Sequence, residues 1–213
     1  FIFGKKGENR IMLNMGGIAN FTQLPASMNP EEVFVTDTGS GNTLIDTYTR
    51  LFFPDRPFDK DAEIAKLGTV NQSLLVALKS NHFFMESFPK TTGPELFNIE
   101  YVRKAQIESN TENSTVPDLL ATLTRFSAET IAEAIQHAIA NTNYSLESFT
   151  IYMSGGGMHN PLLVRWLKEL LPCTFKTTNE LGISGDAKEA VLFAVLANET
   201  VSGGDSDFGT RKG

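Results

Sequence analysis

The first forty residues alternate between apolar runs and turn residues in a pattern that predicts a β-hairpin and a third strand. Two apolar runs are separated by Gly16 and Gly17, whose lack of a Cβ suits the tight turn of a hairpin. A third short run, residues 33–35, stops at Asp37 and is followed by glycines and a helical pattern. This arrangement predicts a carboxylate at the mouth of a sheet, where α/β proteins place their chemistry.

Each of these signals also has a plain structural interpretation. Gly16 and Gly17 alone indicate only a tight turn. Asp37 alone is typical of a helix N-cap, since an aspartate readily accepts a hydrogen bond from a backbone N–H. Their closeness in sequence, together with another glycine cluster much further along the chain, favours a shared site.

That later cluster joins a strand to a helix. The apolar run 149–153 leads into Gly155, Gly156 and Gly157, and then into a helix marked at its start by Asn160 and a proline. Glycines at such a corner let the backbone approach a flat or charged ligand closely. The same pattern is also compatible with a compact strand-to-helix connection that binds nothing.

Elsewhere the periodicity predicts helices. Apolar residues recur at helical spacing between residues 41 and 109 with little strand between them, which predicts a helical subregion inserted beside the sheet. The longest helix begins at Pro117 and carries a continuous apolar stripe. A final helix over 186–198 is apolar nearly all round, which predicts that it is buried.

A loop over residues 89–95 carries a cation, two hydroxyls and an acid, including Lys90 and Thr92. Its prolines restrict the backbone and lower the entropy cost of holding those polar groups in place. The loop is interpreted equally well as a substrate loop or as a solvated connector.

Composition narrows the possible functions. With 18 basic and 25 acidic side chains, the net charge is −7, which argues against a nucleic acid or an anionic membrane as the main partner. An anionic small ligand remains compatible, because backbone N–H groups can bind phosphate. The single cysteine excludes an internal disulfide framework and suits a reducing cytoplasm. No apolar segment has the length of a membrane span.

Together these motifs resemble those of a known superfamily. Residues 13–20 and 153–160 are similar to the second phosphate motif and the adenosine motif of the actin-like ATPases and sugar kinases. The resemblance covers essentially the whole chain. It implies an α/β fold, namely an actin-like ATPase (ribonuclease H-like) lobe whose mixed sheet is flanked by helices and carries a helical insertion.

Four further segments narrow the resemblance to the anhydro-N-acetylmuramic acid kinase family: residues 37–42, 57–61, 89–97 and 186–190. The resemblance implies a cytoplasmic enzyme of peptidoglycan recycling that uses ATP and Mg²⁺. Such an enzyme opens 1,6-anhydro-N-acetylmuramic acid with water and phosphorylates O6 to give N-acetylmuramic acid 6-phosphate.

The resemblance also implies roles for individual residues. Asp37 is expected to act as the general base, and no residue is assigned as a metal ligand. The expected contacts are Gly16, Gly17 and Asn20 with the ATP phosphates, Gly155, Gly156, Gly157 and Asn160 with the adenosine, and Lys90, Thr92 and Glu189 with the sugar.

One departure from the family pattern concerns the first phosphate-binding hairpin, which no segment before Arg10 supplies. The chain opens at Phe1 without a methionine. We therefore expect residues 1–213 to be the C-terminal lobe of a two-lobed kinase that needs its N-terminal lobe for activity. The resemblance also implies a homodimer. Two alternatives remain open: another sugar or acetate-type kinase, and a non-catalytic nucleotide-binding or assembly module.

Overall fold

The computed structural model describes residues 2–184 and 188–202, except for the side chains of Lys188, Glu189, Leu192 and Glu199. Five strands form one mixed sheet in the order β3-β2-β1-β4-β5. The first three strands pair antiparallel, whereas β4 pairs parallel with both β1 and β5. The strands are β1 (Asn9–Met15), β2 (Ile18–Leu24), β3 (Phe34–Ser40), β4 (Phe149–Ser154) and β5 (Thr174–Thr177). The hairpin predicted around Gly16 and Gly17 is confirmed.

Six α-helices accompany the sheet in the described part of the chain. Three of them lie between β3 and the long helix α4 and form the predicted helical insertion. The helices are α1 (Thr43–Phe52), α2 (Gln72–Lys79), α3 (Ile99–Ser109), α4 (Val116–Ala140), α5 (Pro161–Leu170) and α6 (Lys188–Ser202). No helix among the described residues combines the length and apolar character needed to cross a bilayer.

Helix α4 belongs to two hydrophobic cores, which explains its long apolar stripe. Its C-terminal half packs with α5 on the face of the sheet that carries Ile11, Leu13 and Met15 of β1. Alternate residues of β1 point to that face because side chains alternate along a strand. Its N-terminal half packs against α1, α2 and α3 around a group of edge-to-face phenylalanines: Phe83, Phe84, Phe97 and Phe126.

The structure corrects two boundaries. Strand β3 does not stop before Asp37 but continues to Ser40, so Asp37 lies within a strand and is not a helix cap. Helix α6 begins at Lys188, while the expected start at Asp186 lies outside the described residues.

The prediction that the final helix is buried is wrong for the side chains that the structure describes. Phe193, Leu196 and Val201 are 69%, 50% and 84% exposed. A helix that is apolar all round is stabilised by burial. Its composition does not specify which other element would pack against it.

Candidate active site

Hydrogen bonds hold the β1–β2 turn against the turn that joins β3 to α1. The carbonyl of Gly16 accepts from Asn42 N at 2.9 Å, and the carbonyl of Gly17 accepts from Gly41 N at 2.8 Å. A Cβ at Gly41 would lie 2.3 Å from the Gly16 oxygen, well inside any normal contact. Only glycine therefore allows these two turns to lie so close together.

The third glycine turn, which follows β4, meets the same place. Gly155 has a φ of +80°, and a Cβ there would lie 2.8 Å from the carbonyl oxygen of Met15. The Asn42 side-chain amide donates to that same Met15 oxygen at 3.4 Å. The predicted glycine corners thus converge, and the turn at Gly41 and Asn42, two residues to which no individual role had been assigned, joins them.

A row of polar side chains crosses four strands beside these turns. Asp37 pairs with Asn20 across β3 and β2, Asn20 with Asn14 across β2 and β1, and Asn14 with Ser154 across β1 and β4. Cross-strand partners share a face of the sheet. Ser154 Oγ donates to the carbonyl of Leu13 at 3.3 Å and to Asn14 Oδ1 at 3.4 Å.

Sequence reasoning identified Asp37 and Asn20 but not Asn14 and Ser154. For Asn14 the signal was available, because a hairpin that turns at Gly16 and Gly17 places residues 14 and 20 opposite each other. For Ser154 no local signal existed, because its position depends on the parallel pairing of β4 with β1.

The Asp37 carboxylate is held by the loop that follows residue 88. Asp37 N donates to the Lys90 carbonyl at 3.0 Å, and Thr92 N donates to Asp37 Oδ2 at 2.8 Å. Thr36 Oγ1 accepts from Lys90 N at 3.0 Å, which fixes the loop alongside β3. The other carboxylate oxygen, Oδ1, has no hydrogen bond to a described residue and is available to a ligand.

Burial raises the pKa of Asp37 above its ordinary value, and the hydrogen bond from Thr92 N–H partly opposes that shift. A raised pKa makes a carboxylate a better proton acceptor at neutral pH, provided that it stays ionised. The arrangement can therefore hold a base in one orientation and let it take a proton.

The expected sugar contacts fall in different environments. Thr92 meets Asp37 through its backbone. The Lys90 ammonium points elsewhere, donates to the Phe83 carbonyl at 2.6 Å and lies 4.2 Å from the centre of the Phe83 ring. Burial lowers the pKa of Lys90. Glu189 belongs to α6, but its side chain lies outside the described residues.

A cavity of about 340 Å³ opens beside the third glycine turn and is bordered by Asn42, Gly156 and Asn160. Asn160 caps α5, because its Oδ1 accepts from Leu162 N at 3.1 Å and from Leu163 N at 3.0 Å. This cavity has the size and position expected for a ligand that reaches the glycine turns.

A second cavity, of about 720 Å³, is larger but lies between Phe34, Phe88 and Tyr144. None of the glycine turns borders it. Glycine turns let backbone groups approach a ligand closely, which volume alone does not, so the smaller cavity is the better candidate for a ligand site.

The chain is similar in sequence to known proteins. A family model described as "Anhydro-N-acetylmuramic acid kinase" matches residues 1–209. Curated relatives of that name include one from Pseudoalteromonas atlantica, 50% identical over 97% of this chain and 51% of its own length. Another from Pseudoalteromonas translucida is 48% identical over 94% of this chain and 50% of its own length. The chain thus spans about half the length of the curated relatives it matches.

A solved structure shows the same fold. The activator of the 2-hydroxyisocaproyl-CoA dehydratase from Clostridium difficile, solved with bound ADPNP, matches with a TM-score of 0.51. The match covers 93% of this chain and 66% of the activator's chain, at 14% sequence identity. The fold is that of the actin-like ATPases, as the sequence motifs implied.

Proposed function

This chain belongs to the anhydro-N-acetylmuramic acid kinase family, and from that premise we propose that it forms the C-terminal lobe of an ATP-dependent sugar kinase. Its substrate would be 1,6-anhydro-N-acetylmuramic acid, and its product N-acetylmuramic acid 6-phosphate. The observation that carries the proposal is the anchored Asp37 carboxylate at one end of a polar row that leads to the glycine turns.

Asp37 would act as the general base. It takes a proton from a water molecule whose oxygen then bonds to C1 of the sugar as the bond between C1 and O6 breaks. The released O6 bonds to the γ-phosphorus of ATP, and ADP leaves. The backbone hydrogen bonds from Thr92 and to Lys90 support this role, because a base must stay within hydrogen-bond reach of its water.

The glycine turns would bind the nucleotide. Gly16, Gly17 and Asn20 would face the phosphates, and Gly155, Gly156 and Gly157 would lie against the adenosine. Phosphoryl transfer depends on positioning and on stabilisation of negative charge, and closely approaching peptide groups provide both. Asn160 would contribute through the turn that it caps, because its side-chain oxygen already accepts two backbone hydrogen bonds.

Mg²⁺ would be held mainly by the nucleotide phosphates and water. Among residues 2–184 and the described part of α6, no three His, Cys, Asp or Glu side chains lie close enough to hold a metal. Kinase sites commonly need only one or two protein carboxylates for Mg²⁺. The ion supplies charge neutralisation on the phosphates, and we assign no residue to it.

The remaining expectations complete the proposal. The chain would act with an N-terminal lobe that supplies the other phosphate-binding hairpin, in a homodimer, in the cytoplasm and in peptidoglycan recycling. Thr92 and Glu189 are retained as proposed sugar contacts. Lys90 is assigned to holding the loop beside Asp37, because its ammonium lies among phenylalanine rings.

The test uses a joined protein, in which this chain follows the half of the Pseudoalteromonas atlantica relative that it does not match. We expect it to consume 1,6-anhydro-N-acetylmuramic acid only with ATP. Asp37→Asn should lower turnover by about 10² to 10⁴ while leaving nucleotide affinity unchanged. The exposed Asp55 supplies a matched control, and Asp55→Asn should leave turnover unchanged.

Other outcomes would separate the alternatives. Phosphorylation of reducing sugars but not of the anhydro sugar would indicate another sugar kinase, because only the anhydro substrate needs a water and a base at C1. Nucleotide binding without any transfer, unaffected by Asp37→Asn, would indicate a non-catalytic module.

A further inference from the structure

The cavity of about 340 Å³ is bordered by residues from three parts of the chain. Helix α1 supplies Asp46, the segment between α1 and α2 supplies Phe58, and the third glycine turn supplies Gly156. Gly156 joins the cavity to the place where the three glycine turns meet. A ligand whose phosphates lie at those turns can therefore extend its other end into this cavity.

Asp46 differs from the other acids that border the cavity. The two oxygens of Asp59 accept from Ile64 N and Ala65 N, each at 2.9 Å, so Asp59 holds the local backbone. Asp61 is exposed to solvent. The partly buried carboxylate of Asp46 makes no hydrogen bond to any described residue.

The nearby cation does not neutralise Asp46 by direct contact. Arg50, one turn further along α1, donates to the Pro57 carbonyl at 3.1 Å and to Thr47 Oγ1 at 3.3 Å. Burial raises the pKa of Asp46 to about 6, and the positive charge of Arg50 only partly opposes that shift. A carboxylate that is partly buried without a donor is unfavourable, so the cavity retains an acceptor that the protein itself does not use.

Phe58 provides an apolar surface at the same cavity. Its side chain is 50% exposed, although aromatic rings of this size are usually more buried. Flat heteroaromatic rings stack on such exposed aromatic faces. An aromatic face together with a free carboxylate matches a purine ring that carries an amino group.

We propose that Asp46 is the residue that selects the nucleobase, accepting a hydrogen bond from the 6-amino group of adenine while Phe58 packs against the ring. The proposal rests on the proposed function, which supplies the nucleotide. A purine with a 6-oxo group would direct a carbonyl oxygen toward the Asp46 carboxylate and would be disfavoured, since two acceptors cannot form a hydrogen bond.

The experiment measures displacement of ribose-labelled mant-ATP from the joined protein by ATP and by inosine triphosphate, without sugar. We expect wild type to prefer ATP by at least about tenfold, the selectivity that one hydrogen bond to a charged group provides. Asp46→Asn should reduce that preference about tenfold, because an amide can donate to the 6-oxo group. Asp46→Ala should weaken ATP binding and so reduce the preference for ATP, because the acceptor for the 6-amino group is lost.

Two further variants separate selection from general damage. Asp61→Asn, at the exposed acid of the same cavity, should leave the preference unchanged. Phe58→Ala should weaken both nucleotides about tenfold and leave their ratio unchanged.

An unchanged ratio of ATP to inosine triphosphate affinity in both Asp46 variants would overturn the inference and leave the proposed function intact. Failure of the wild-type joined protein to bind either nucleotide would overturn both. Binding of both nucleotides without sugar phosphorylation would overturn the proposed function alone.

Discussion

Two carboxylates near the glycine turns have pKa values raised by burial, but the structure holds them differently. Asp37 lies within strand β3, where one of its oxygens accepts from Thr92 N and its own N–H donates to Lys90. Asp46 lies on helix α1 and borders a cavity, and its carboxylate makes no hydrogen bond to the described residues. A raised pKa alone therefore does not distinguish a general base from a carboxylate that selects a ligand.

The difference in anchoring does distinguish them. A general base must be fixed before its substrate arrives, since small displacements from the reactive geometry are costly in rate. A group that selects a ligand needs an unused acceptor, which the ligand then satisfies. The fixed Asp37 suits catalysis, and the unpartnered Asp46 suits recognition. The turn at Gly41 and Asn42 connects the two regions, because it ends β3 and begins α1.

Breaking that connecting turn should disturb both regions at once and produce the largest effect. Gly41→Ala would place a Cβ 2.3 Å from the Gly16 carbonyl oxygen, so the backbone of both turns must move. We expect a loss of about 3 kcal/mol in the free energy of unfolding, the upper end for overpacking, together with loss of mant-ATP binding. Urea denaturation measures the first effect and fluorescence titration the second.

Gly16→Ala is the matched control for stability, because its Cβ would lie 3.5 Å from the nearest atom, an ordinary contact. It should change the unfolding free energy far less than Gly41→Ala. Equal losses in the two variants would contradict the tight approach of these turns.

Loosening only the Asp37 region should have a smaller effect on stability. Thr36→Val removes the hydroxyl that bonds the backbone of Lys90, which leaves a buried N–H without that partner. We expect a cost of about 2 kcal/mol in unfolding free energy. In the joined protein, kcat should fall while nucleotide affinity stays unchanged, because the substitution does not alter the cavity of about 340 Å³ that Asp46 borders.

Thr22→Val, on neighbouring strand β2, removes a hydroxyl with no hydrogen bond to the described residues and serves as the control. A parallel loss of kcat and nucleotide affinity in Thr36→Val would mean that the two regions are not separable.

Changing only Asp46 should give the smallest effect, with the opposite sign. The folded-state pKa of about 6 lies above the ordinary value of 3.8, so the folded state disfavours the charge. That penalty is absent below pH 3.8, grows as the pH rises toward 6 and is complete above it. Asp46→Asn should therefore stabilise the fold by about 1 kcal/mol at pH 7, because water screens part of the burial cost.

Urea denaturation at pH 7 and pH 3.5 checks this sign, since the gain should disappear at the lower pH. A loss of stability at pH 7 would show that Asp46 has a favourable partner in the folded state.

Local sequence signals were sufficient for the hairpin, the helical insertion and the glycine corners, because turn residues and periodicity act over a few positions. They failed where the cause is distant in sequence. Gly39 and Ser40 have little strand character, yet pairing with β2 keeps them in β3. The position of Lys90 among phenylalanine rings depends on tertiary packing. Asp46 lies on a helix whose pattern gives no sign of the cavity that it faces.

The central claim is that the three glycine turns and the Asp46 cavity form one nucleotide site. Hydrogen-exchange mass spectrometry of the joined protein with and without ADPNP tests it most directly. We expect slower exchange in peptides that contain residues 15–18, 41–46 and 155–160, and no change in residues 141–144, which border the larger cavity. Protection confined to residues 141–144, with the glycine turns unaffected, would contradict the account.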